Sequence, residues 1–126
     1  MRALFALSLL LAAPATAPAQ DTPPVVEVRL SSFDFDPETI RLPAGQPVIL
    51  RLTNGGRGGH NFDAPQFFAA AAIPGGQGVT IEDGAIEVGS RQTVSIRLIP
   101  ARGRYRLRCT HTMHSTFGMR GEILVE

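Results

Sequence analysis

Apolar residues recur at every second position in short runs, and glycine or proline separates one run from the next. Val26, Val28 and Leu30 alternate with Glu27 and Arg29. Val48, Leu50 and Leu52 alternate with Ile49, Arg51 and Thr53, and Val94, Ile96 and Leu98 with Thr93, Ser95 and Arg97. A period of two over such spans predicts half-buried strands, and no helical period persists long enough for a bundle. Strands are therefore expected at 25–30, 39–42, 48–53, 60–63, 79–81, 85–88, 91–98, 103–109 and 121–125, those at 79–81 and 85–88 being the weaker candidates. Phe33 and Phe35 extend the first apolar phase past an irregularity at Ser31-Ser32. Residues 65–72 read as a short helical turn carrying Phe67 and Phe68. The segment from Asn54 to Gly59, with four glycines, reads as a loop. The expected class is all-β, a two-sheet sandwich of seven or eight strands.

The start of the chain points to export. Arg2 precedes an apolar run at 3–13 in which Ser8 is the one polar residue, and Ala17-Pro18-Ala19 supplies small residues for cleavage. This reads as a secretory signal peptide cut after Ala19. The run is too short to span a bilayer comfortably, which takes about 20 residues. The expectation is a leader at 1–19 and a single domain at 20–126, in the bacterial periplasm or outside the cell, with no stable membrane insertion after cleavage. The remaining 107 residues suffice for one compact domain. Without Arg2, eleven arginines balance eleven acids and there is no lysine, a balance that does not advertise nucleic acid binding. Local charge still stands out where Arg102, Arg104, Arg106 and Arg108 alternate along one segment.

Cys109 is the chain's single cysteine, in the segment Cys109-Thr110-His111-Thr112-Met113-His114-Ser115-Thr116-Phe117-Gly118-Met119. It has no intrachain disulfide partner, so it is free, pairs with another chain, or holds a metal. As a core residue it would pack as a small hydrophobe. His114 follows five positions later and Met119 five after that, far enough apart for a turn at a strand end to aim both back at Cys109. His60 lies upstream, after the glycine-rich loop, and shares a strand face with Phe62. One thiolate, two imidazoles and a thioether form a soft donor set that suits a copper electron-transfer site better than structural zinc, although zinc also accepts cysteine and histidine. His111 and Met113 lie within the same loop. They read as loop structure and apolar rim, or as extra soft donors that help copper enter or leave.

The stretch Pro43-Ala44-Gly45-Gln46-Pro47-Val48-Ile49-Leu50-Arg51-Leu52-Thr53-Asn54, the triplet His60-Asn61-Phe62 and the run Tyr105-Arg106-Leu107-Arg108-Cys109, closed by His114, Gly118-Met119 and Gly121, resemble the cupredoxins, the small blue copper proteins. The gap between Cys109 and His114 looks more like the wider-loop members such as rusticyanin or auracyanin. The resemblance implies a Greek-key β-sandwich holding one type 1 copper per chain. His60, Cys109 and His114 would form a trigonal set, with Met119 weakly axial and copper cycling between Cu(II) and Cu(I). It implies a non-enzymatic electron carrier that meets transient redox partner proteins. The alternative is a copper-binding or copper-delivery protein that meets a copper-accepting protein. Copper oxidase chemistry is disfavoured because the chain offers one copper set and no second domain.

Overall fold

The computed structural model describes residues 12–16, 22–111 and 118–126. Among them two sheets form a sandwich. One sheet has the order β2-β1-β4-β7, from Asp34–Asp36, Val25–Ser31, Val48–Asn54 and Thr93–Leu98. The other runs β3-β9-β8-β5-β6, from Thr39–Leu42, Arg120–Val125, Gly103–Arg108, His60–Asp63 and Ala85–Val88. Pairing is antiparallel except between β1 and β4 and between β3 and β9. The architecture is a Greek-key-like β-sandwich of the cupredoxin kind. One short helix, α1 at Pro65–Ala70, buries Phe67 and Phe68. No described helix is long and apolar enough to cross a membrane. Residues 1–11 and 17–21, and with them most of the expected leader at 1–19 and its cleavage point before Gln20, lie outside the described residues.

The alternation that predicts the strands also sorts their side chains. In β4, Val48, Leu50, Leu52 and Asn54 are buried while Ile49, Arg51 and Thr53 are only partly so. Val28, Leu30, Ile96, Leu98, Leu107, Ile123 and Val125 fill the space between the sheets. Burying a side chain of the Val, Leu or Ile type contributes roughly 1.5–3 kcal/mol, so this pattern outweighs the weak local propensity of short strands. Aromatic edges link the two sheets and the helix. Phe35 meets Phe62 at 6.1 Å, Phe62 meets Phe68 at 5.9 Å, and Phe67 meets Tyr105 at 5.5 Å. Such edge-on contacts add about 0.5–1.5 kcal/mol each beyond area burial.

Two local expectations differ from the fold. Phe33 does not continue the inward phase: it is 45% exposed with φ of 69°. The chain reverses at Ser32-Phe33, and the three residues of β2 pair back on β1 with Ser31 opposite Asp34. With this hairpin the described residues form nine strands where seven or eight are expected. Residues 79–81 are not a strand. The neighbouring Gln77 instead uses its side-chain amide as a strand substitute: Nε2 donates to the Arg97 carbonyl at 2.8 Å and Oε1 accepts the Arg97 N–H at 2.7 Å. β7 is an edge strand of its sheet, and these bonds cover part of an edge that would otherwise be open to pairing.

Candidate metal centre

β5, the end of β8 and the start of β9 bring His60, Cys109 and Met119 to one end of the five-stranded sheet. Cys109 stands one residue past β8 and Met119 one residue before β9, and both are fully buried. The backbone N–H of Cys109 donates to the carbonyl of Met119 at 3.1 Å. This bond extends the β8–β9 ladder by one step beyond its last register pair, Arg108 with Arg120. The two sulfur-bearing residues are therefore held as cross-strand neighbours although they lie ten positions apart. Gly121 allows this closure: a Cβ there would lie 2.7 Å from the Glu38 carbonyl and 3.2 Å from Leu107.

His60 opens β5 and is buried at 2% exposure. β5 and β8 share one register pair, Asp63 with Arg108. Continuing that antiparallel register sets Phe62 beside Cys109 and Asn61 beside Thr110. The second juxtaposition is made by hydrogen bonds: Asn61 Nδ2 donates to Thr110 Oγ1 at 2.6 Å, and the Thr110 N–H donates to Asn61 Oδ1 at 2.8 Å. With the side-chain period of two, Cys109, Phe62 and His60 then share the inward face. Among the described residues no three His, Cys, Asp or Glu side chains gather as a metal group. His114 and Met113 lie outside the described residues. The described donors fit a copper ion in their chemistry, as thiol, thioether and imidazole are all buried at one end of a rigid sandwich.

His111 takes a different direction. Its Nε2 lies 3.0 Å from Glu87 Oε2, on the outer side of the sheet. Glu87 Oε1 in turn accepts from Asn61 Nδ2 at 3.2 Å. Glu87 thus joins His111, Asn61 and, through Asn61, the residue after Cys109. Sequence reasoning did not single out Glu87. Its signal was its position in a candidate strand facing Asn61, visible only once β5 and β6 are paired, since their register sets Asn61 opposite Glu87.

The loop before His60 is also anchored. Asn54, 1% exposed, points its amide nitrogen at the Gly58, Val88 and Gly89 carbonyls at 2.7, 3.1 and 3.1 Å, and its oxygen accepts the Gly56 N–H at 3.0 Å. The glycine-rich turn is wrapped around one buried amide, which fixes where β5 starts and so where His60 sits.

A model of the cupredoxin-like domain matches residues 2–125. The chain belongs to the cupredoxin-like domain family. Solved structures share this fold at low identity. Reduced auracyanin from Roseiflexus castenholzii is 20% identical with a TM-score of 0.59, the match covering 83% of this chain and 98% of that one. Auracyanin A, a blue copper protein from Chloroflexus aurantiacus, is 20% identical with a TM-score of 0.57, covering 82% of this chain and 100% of that one. The McoA multicopper oxidase from Aquifex aeolicus is 16% identical with a TM-score of 0.61, covering 90% of this chain and 32% of the oxidase. A comparison with curated proteins returns no match. The family and the auracyanin likeness agree with the cupredoxin resemblance carried by the Cys109–Met119 segment.

Proposed function

We propose that this cupredoxin-like chain is an exported, non-catalytic electron carrier with one type 1 copper held by His60, Cys109 and His114, with Met119 weakly axial. The observation that carries the reading is the burial of Cys109 and Met119 as hydrogen-bonded cross-strand neighbours, with His60 on the same inward face. Bound copper would supply a one-electron couple between Cu(II) and Cu(I). The chain's part is to hold the donors still. Asn61 and Thr110 lock the position of Cys109 relative to β5, and Asn54 locks the approach to His60. A scaffold braced in this way limits rearrangement between oxidation states. The auracyanins, one of them described as a blue copper protein, favour a carrier of this size over an oxidase. The leader at 1–19 supports a periplasmic or extracellular site of action, and transient redox partner proteins follow from a carrier role.

Anaerobic copper titration, oxidation and optical plus electron paramagnetic resonance spectroscopy test this reading. One copper per chain with strong cysteine-to-copper charge transfer is expected, and a colourless, loosely bound Cu(I) protein would overturn it.

A second reading, copper delivery, is favoured by His111 at the rim two residues from Cys109 with its side chain 38% exposed. Stopped-flow mixing with an apo acceptor, with copper counted before and after, separates the two. A carrier keeps its copper while the electron moves, and a delivery protein loses it.

A further inference from the structure

The outer face of the five-stranded sheet is divided by charge. Asp63, Glu87 and the adjoining turn residues Glu82 and Asp83 border its β5–β6 half. Arg104, Arg106, Arg108 and Arg120 project from the β8–β9 half, all exposed. Arg108 bonds Asp63 at 2.8 Å along the seam, and Arg104 bonds Glu122 at 3.3 Å. Among the described residues Arg106 and Arg120 make no ion pair.

The register makes this excess costly. Arg108 stands directly opposite Arg120, and like charges facing each other across a ladder are destabilising. Glu122 faces Arg106 but bonds Arg104 instead. Arg106 and Arg120 meanwhile line one cleft of about 260 Å³ whose wall also includes Met119. The positive surface thus reaches the edge of the candidate metal centre.

We propose that this β8–β9 face, centred on Arg106 and Arg120, docks an acidic partner protein; the role of that partner as electron donor or acceptor rests on the carrier reading above. Two guanidinium groups can each take a surface carboxylate in a bidentate pair, and a carboxylate over the cleft offsets the Arg108–Arg120 repulsion. A protein with discrete carboxylates fits better than a nucleic acid. The basic half is interrupted by Glu122 and bounded by the acidic half, which repels a continuous polyphosphate.

Stopped-flow electron transfer between the copper-loaded chain and two haem carriers of opposite net charge tests the proposal. The acidic carrier should react faster, with a rate that falls as salt is raised. Arg106→Glu with Arg120→Glu should slow it roughly tenfold or more at low salt, with the optical spectrum unchanged. Arg106→Gln with Arg120→Gln should give a smaller loss. Equal slowing with the basic carrier, or no slowing with the acidic one, would overturn the docking face. Titration of the purified chain with polyglutamate, followed through amide shifts, keeps this outcome separate from the carrier reading. Shifts at Arg106 and Arg120 that vanish in the Glu variant support the surface even if no blue centre forms. Binding of an oligothymidylate but not of polyglutamate would overturn it.

Discussion

Asn61 and Thr110 exchange two hydrogen bonds, at 2.6 and 2.8 Å, across strands whose ladder has already ended. Residues 49 positions apart are thereby clamped beside Cys109, where a sheet hydrogen bond no longer does so. Asn61→Ala should destabilise the fold by about 0.5–1.5 kcal/mol, because the part-buried Thr110 N–H exchanges its Asn61 acceptor for water. It should also broaden or shift the copper spectrum. Thr110→Ser keeps the hydroxyl and should stay within about 0.5 kcal/mol of the parent in urea unfolding.

Cys109→Ser should abolish the thiolate charge-transfer band while circular dichroism retains the β-sheet signal. Met119→Leu should keep copper but raise the potential, since loss of a thioether donor costs the more electron-poor Cu(II) state more. A metal-bound crystal structure with His60 remote from copper would sink the ligand set.

His111→Ala should leave the blue spectrum nearly unchanged, because its imidazole Nε2 is directed to Glu87. His114→Ala should disrupt it. The reverse pair of results would reassign the ligand to His111.

Gly121→Ala should cost about 1–3 kcal/mol, the range for overpacking a filled site. Its added carbon would press on the Glu38 carbonyl at 2.7 Å, which is backbone and cannot swing aside. Thermal unfolding with and without copper measures the loss. An alanine variant as stable as the parent would show that β9 can shift without harm.

Intact-mass analysis of the exported protein should find Gln20 as the first residue. Retention of residues 1–19 in an integral membrane fraction would reverse the leader assignment.

The alternating runs made the sandwich legible. Val48, Leu50, Leu52, Ile96 and Leu98 are buried as their period requires, with Val94 partly buried in the same phase, because a strand has only two faces and one must be dry. The segment from Cys109 to Met119 displays its soft donor types in the sequence, and their joint ligation of copper stays a proposal. Local pattern failed where the chain makes contacts distant in sequence. Phe33 reads as core, yet the reversal into β2 turns it outward. Residues 79–81 alternate weakly, yet the edge of β7 is taken by the amide of Gln77. Glu87 carries no motif and Asn54 only closes one, and pairing β5 with β6 and wrapping the glycine turn is what gives them work. Which residues alternate is a property of the chain itself. Which polar group meets which is decided by register, and register is set only when two sheets close over a shared core.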